Sequence, residues 1–202
     1  AVGATLTNTN TGTISATANN SFNSAYAYGV YVSNDLAGTL TNAGTISATA
    51  NANTSNAYAY GVYVGNGLSG SLINSGTISA TANVKTDSSA YAYGVYVSGN
   101  LSGTLTNSGT ISATANATSS GASAYAYGVH VGTLSGTLSN SGTISATAIS
   151  ADTNAVAYGV HVGGDLSAAG SLTNSGNISA TANGSYDSAY GVYVGGNLDG
   201  IL

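Results

Sequence analysis

The sequence predicts an all-β protein: a parallel β-solenoid of six three-stranded coils, each of about 32 residues, forming a single domain over residues 1–202. Three observations predict it. A super-repeat runs through the whole chain. Every phrase of that repeat alternates apolar and polar residues, the period of a strand. The composition also works against helices, because Glu, Arg, Gln and Met are absent and Lys occurs once.

The first phrase of each repeat is L-T-N-S-G with variants, its Leu at Leu6, Leu40, Leu72, Leu105, Leu138 and Leu172. Leu40 points inward while Thr39 and Thr41 point out, and the Asn-Ala-Gly or Asn-Ser-Gly that follows turns the chain. Asn42, Asn74, Asn107, Asn140 and Asn174 keep the parity of the inward Leu. Stacked at a corner, their amides are expected to bond along the axis from coil to coil.

The second phrase, G-T-I-S-A-T-A, recurs at Ile14, Ile46, Ile78, Ile111, Ile144 and Ile178, spaced 32, 32, 33, 33 and 34 residues apart. Ile46, Ala48 and Ala50 face in; Thr45, Ser47 and Thr49 face out. The third phrase, Y-G-V-(Y/H)-V, has its Gly at Gly29, Gly61, Gly94, Gly128, Gly159 and Gly191. A propeller blade would need a fourth strand and a longer repeat, about 40–45 residues. Near-identity of the phrases favours stacking of each residue on its own copy instead, in a rod about 29 Å long at a rise of about 4.8 Å per coil. Length variation concentrates in one loop per coil: Asn19–Ser24, Asn51–Asn56, Asn83–Ser89, Asn116–Ser123, Ile149–Asn154 and Asn183–Ser188. Solenoid insertions commonly map to a binding face.

Charged residues make up 3% of the chain, against about 25% in ordinary globular proteins. With one cation and a net charge of −5, nucleic acid is excluded as a partner, since its binding rests on Lys and Arg. Without Cys there is no disulfide, zinc knuckle or thiol nucleophile. No apolar run approaches the roughly 18 residues of a membrane span, so membrane insertion is not expected. No signal peptide or initiator Met is seen, and the chain reads as a mature fragment or a segment of something longer. The absence of Cys and near-absence of Lys fit an exported protein.

The phrases T-L-T-N-S-G-T-I-S-A-T-A and A-Y-A-Y-G-V-Y-V resemble the repeats of bacterial autotransporter and haemagglutinin-type adhesin passengers, along the whole chain. The resemblance implies a right-handed parallel β-helix. It also implies an extracellular or bacterial cell-surface location and a structural or adhesive role, as a rigid rod or a self-assembling fibre subunit. It carries no translocating barrel in this chain and does not name a ligand.

No enzyme activity and no cofactor are expected, because the six Asp residues do not converge by phase: Asp35 and Asp165 precede the coil Leu, and the coils beside Asp165 carry Thr133 and Asn197 instead. His130 and His161 occupy the phase of Tyr31, Tyr63, Tyr96 and Tyr193 in adjacent coils. They are weak candidates for a shared divalent metal; the plainer expectation is two polar aromatics in an outward ladder. The outward Tyr31 ladder could meet a cell-surface or carbohydrate ligand. Tyr28, Tyr60, Tyr93, Tyr127, Tyr158 and Tyr190, with Tyr26, Tyr58, Tyr91 and Tyr125, point inward if alternation runs unbroken through the Gly, which is the favoured expectation; a bulge there would turn them out. Thr45, Thr49, Thr77, Thr81, Thr110 and Thr114 belong to a flat hydroxyl array that resembles the ice-binding faces of β-solenoid antifreeze proteins, an alternative to adhesion. Finally, Val2 and Leu6 at one end and Leu198 and Leu202 at the other share the phase of the coil leucines. Matching ends are expected to stack head to tail into a homo-oligomer or filament.

Overall fold

The computed structural model describes residues 4–202, and every regular element among them is a strand. In the second coil the chain runs β4 (Thr39–Asn42), β5 (Thr45–Ala52) and β6 (Ala57–Val64). The pattern opens with β1 (Thr5–Asn8), β2 (Thr13–Asn20) and β3 (Ala25–Val32), and closes with β16 (Ser171–Asn174), β17 (Asn177–Asn183) and β18 (Tyr186–Val194). Strands of one kind collect into one sheet, giving three six-stranded parallel sheets. The first sheet holds the T-L-T-N strands, the second the T-I-S-A-T-A strands and the third the A-Y-A-Y-G-V-Y-V strands. Identical residues pair: Ile46 on Ile78, Ala48 on Ala80, Tyr60 on Tyr93. The chain is therefore a β-solenoid, as the repeat predicts, and Leu36, Leu68 and Leu101 add single parallel bridges at the remaining corner.

The interior has two parts with different residues. Between the second and third sheets lies a core made almost wholly of alanine, including Ala48, Ala50, Ala57 and Ala59. These strands are joined by a short loop, so their alanine ends are forced close together, and only small side chains fit between them. Toward the first sheet the coil widens and the filling becomes Leu, Ile and Val: Leu40, Ile46, Val62, Val64 and Leu68. The cross-section is a wedge whose thickness is set by side-chain volume.

The asparagine corner forms as expected. Asn8, Asn42, Asn74 and Asn107 each donate Nδ2 to the Oδ1 of the next coil's Asn at 2.7–2.8 Å, and Asn140 continues to Asn174 at 2.7 Å. Each Nδ2 also reaches the carbonyl that opens the next coil's second-sheet strand, as from Asn42 to Thr77 O at 3.0 Å. Asn42 and Asn74 are fully buried, and their amides are satisfied by the stack itself.

Two expectations are corrected. The six loops are shorter than the sequence suggests, because five second-sheet strands run two residues further, to Asn20, Ala52, Val84, Ala117 and Ser150, and the last runs one further, to Asn183. Ala52, Val84 and Ala117 continue the inward row, and Val84 is 1% exposed. At the other end of the last loop, Tyr186 and Asp187 belong to a strand. The second correction concerns the tyrosines.

Candidate functional site

In β6 the residues Ala57, Ala59, Gly61, Val62 and Val64 are all buried, whereas Tyr58, Tyr60 and Tyr63 are only partly covered. Two consecutive inward positions, Gly61 and Val62, break the alternation. The rows of Tyr28 and Tyr26 therefore face outward, against the inward expectation, and share one face with the row of Tyr31. The reason is space: the thin end of the wedge admits alanine and no aromatic ring. Register survives because every coil carries the same irregularity, with Tyr60 paired to Tyr93 and Val62 to Val95. Glycine is required there for close approach. A Cβ on Gly94 would lie 2.5 Å from Gly128 O and 2.6 Å from Ile111 Cγ2.

Three aromatic rows result. Tyr26, Tyr58, Tyr91 and Tyr125 stack at centroid spacings of 4.8–5.0 Å. The row from Tyr28 to Tyr190 spans all six coils at 4.7–5.1 Å, with ring planes 4–13° apart. The third row is Tyr31, Tyr63, Tyr96, His130, His161 and Tyr193 at 4.8–5.2 Å. Between the second and third rows the planes meet at 63–86°. The strand spacing exceeds the contact distance of aromatic planes, about 3.5–4.0 Å, so rings on a ladder must tilt to touch. Adjacent rows tilted in opposite senses give a herringbone with parallel contacts along each row and edge-to-face contacts across. Ring faces are thus covered by neighbours, and the face presented to solvent is made of ring edges and phenol hydroxyls. A sugar ring would meet those edges rather than lie flat on Tyr63 or Tyr96.

The cover also acts on ionisation. Burial, reinforced by neighbouring phenols, holds the Tyr60, Tyr93 and Tyr127 hydroxyls far above the ordinary tyrosine value. Burial and the nearby His161 push His130 down to about 4, and burial lowers His161 as well. The two rings have centroids 4.8 Å apart, yet their Nδ1 atoms approach to 2.9 Å. They are therefore not simple translations of each other; the Nδ1 edges turn toward one another, one donating and the other accepting. Tyr96 covers His130 from one side and Tyr193 covers His161 from the other.

The hydroxyl array lies on the second sheet as expected. Thr45, Thr77 and Thr110 pair in register, as do Thr49, Thr81 and Thr114, all half-buried and outward. An unforeseen ladder continues it: Asn51 donates to Asn19 at 2.7 Å, Asn83 to Asn51 at 2.7 Å and Asn116 to Asn83 at 2.8 Å. The recurring A-T-A-N was its signal, hidden because those Asn were assigned to loops.

Three of the acidic residues serve the backbone. Asp35 accepts from Gly67 N at 2.8 Å and Asp165 from Asn197 N at 2.7 Å, each fastening the next coil's turn, and Asp152 accepts from Gly121 N at 2.9 Å. Among the described residues no group of three or more His, Cys, Asp or Glu gathers at one place. Leu6 pairs with Leu40, Leu198 bridges Leu166, and Leu6, Leu198 and Leu202 are exposed; Val2 lies outside the described residues. Comparison with protein-family models, with curated proteins and with solved structures found no match.

Proposed function

We propose that this chain is an extracellular or bacterial cell-surface rod whose work is adhesion, with the aromatic face of the third sheet as its contact surface. The observation that carries the reading is the outward herringbone of aromatic rings, whose Tyr28–Tyr190 row runs unbroken through six coils. Such a face combines apolar ring edges with a regular row of hydroxyls, and its rings are already ordered, so contact costs little further side-chain entropy. The near-absence of charge removes most repulsion from another surface. The test is retention of the purified chain on cell or polysaccharide-coated surfaces, compared with a Tyr63→Thr/Tyr96→Thr variant. Thr keeps strand propensity at outward positions, so the fold should persist and retention should drop. Equal retention would refute the assignment of this face.

A second reading is supported by the second sheet. Its Thr-Ser-Thr pattern keeps one register through the coils with no bulge, giving a flat two-dimensional hydroxyl lattice. That regularity favours ice binding over any irregular ligand. Thermal hysteresis by the wild-type chain, abolished in Thr77→Ala/Thr110→Ala, would select it over adhesion.

A further inference from the structure

The third aromatic row changes character at one place, where His130 and His161 replace Tyr in two successive coils. Their rings lie 13° from parallel, and their Nδ1 atoms face each other at 2.9 Å. The two edges point at one another and at no common third point, so the ligand they can share is a proton. Tautomers fix how many protons the pair can take. In the neutral pair one ring donates from Nδ1 and has a bare Nε2. The other accepts on Nδ1 and carries its hydrogen on Nε2. A first added proton goes to the bare Nε2, and the hydrogen bond survives, strengthened, as imidazolium to imidazole. A second finds one nitrogen left, the accepting Nδ1. Its arrival removes the hydrogen bond and sets two cations beside each other in one ladder.

We propose that the His130–His161 pair is an acid-operated break in the aromatic face: it keeps the third row closed with no added proton or one, and parts the row when the second arrives. The surroundings offer the doubly charged pair no counter-charge. The groups facing it are phenols: Tyr93 and Tyr96 from β9 (Ala90–Leu101), Tyr127 from β12 (Ala124–Leu134), Tyr158 from β15 (Asn154–Val162) and Tyr193 from β18. Phenols are uncharged at neutral and acid pH. Asp165, four residues beyond His161, accepts from Asn197 N at 2.7 Å instead. Tyr96 and Tyr193 cover the outer ring faces, so neither imidazole can retreat along the row, and the way out is toward solvent. Burial lowers both histidines, and the neighbouring His161 pushes His130 down further, to about 4. An unfolded histidine takes its proton near pH 6.5, and the folded pair takes its full complement only well below that. Order contributed by the pair is therefore complete above about pH 6.5 and declines as pH falls toward about 4. The break is a property of the row and does not depend on what the face contacts.

The test is an acid titration of the whole chain. Histidine protonation is read by nitrogen-15 NMR, tyrosine order by near-ultraviolet circular dichroism and the sheets by far-ultraviolet circular dichroism. The expected result is two steps more than about one pH unit apart, the first shared by both imidazoles. The second lies below the ordinary histidine value and coincides with a loss of near-ultraviolet signal while the sheet signal stays. His130→Tyr/His161→Tyr places in both coils the residue that the other four carry, so the ladder persists and the near-ultraviolet step disappears. That variant keeps Asp35, Asp152 and Asp165, so any acid effect of the carboxylates remains visible in it. His161→Tyr alone leaves one imidazole with no partner, and it titrates in a single step without a near-ultraviolet break. Two wild-type histidines that titrate independently near pH 6.5, or a near-ultraviolet step of equal size in the double variant, would overturn the proposal.

Discussion

The second and third sheets are built from the same number of parallel strands and face each other across one core, yet their outer surfaces differ completely. The second sheet alternates without a break, so its small hydroxylated residues go out and Ile46, Ala48 and Ala50 go in. The third sheet inserts one glycine into each strand, and parity changes there. Ala57 and Ala59 are inward before Gly61, Val62 and Val64 inward after it, and all three tyrosines are left on the outside. One backbone irregularity, repeated six times, thus turns an alternating strand into a densely aromatic face. The comparison teaches that in a stacked fold a local rule is copied to every coil, so a small departure becomes a surface.

The largest expected effect comes from breaking that departure. Gly94→Ala drives a Cβ into the Gly128 carbonyl and the Ile111 side chain. Overpacking of this kind costs about 1–3 kcal/mol, and a backbone oxygen yields less readily than a side chain. Gly191, in the same phase, offers an internal comparison: a Cβ there meets nothing closer than Ile178 O at 3.9 Å. Denaturant melts should show a clear loss for Gly94→Ala and little change for Gly191→Ala. Equal stability of the two would mean that close approach does not select this glycine.

How much of this was legible in the sequence follows from the same contrast. The stacking order, the three sheets, the buried Asn42 ladder and the outward Thr45 and Thr77 rows could be read because each depends only on period and parity. Tyr28 and Tyr60 could not be placed that way. Parity from Val62 sends Tyr60 inward, parity from Ala59 sends it outward, and both residues are apolar. What decides is the thickness of the wedge, a property of two sheets together, set by Ala48 and Ala50 across from Ala57 and Ala59. The histidine pair was placed in the correct row, but ladder translation alone puts the two rings about 4.8 Å apart at every atom. The turned Nδ1 edges depend on side-chain torsions that the pattern does not encode.

A second test uses base. Unfolded tyrosine ionises near pH 10, while burial holds the Tyr60 phenol well above that value in the folded chain. The folded state therefore keeps its protons where the unfolded state loses them. Stability contributed by the covered row is present in full below pH 10 and declines as pH rises beyond it. Tyrosinate absorbance from the covered Tyr60, Tyr93 and Tyr127 should appear together with loss of the circular dichroism signal. The second sheet carries no group that titrates in this range, so a Tyr60→Thr/Tyr93→Thr variant should flatten the alkaline decline. Ionisation of Tyr60, Tyr93 and Tyr127 near pH 10 with the fold intact would contradict the covered herringbone.

The smallest effect expected separates strand from loop. Lys85, Thr86 and Asp87 are exposed at the tip between β8 (Thr77–Val84) and β9 (Ala90–Leu101), whereas Val84 is fully inside. Replacing Lys85–Asp87 with Gly and Ser removes no inward side chain, and surface changes of this sort stay within about 0.5 kcal/mol. Carrying the replacement one residue further, to Val84, withdraws a buried aliphatic group from the inward row and puts a hydroxyl in its place, a loss of about 1.5–3 kcal/mol. Two melts on variants that differ at one residue locate the boundary. If both variants melt alike, the inward row ends at Ala82, and the last two residues of β8 contribute nothing to the core. If only the longer replacement is destabilised, the alternation of the second sheet continues to the end of the strand, and the loops are free to vary because they begin where the alanine wedge closes.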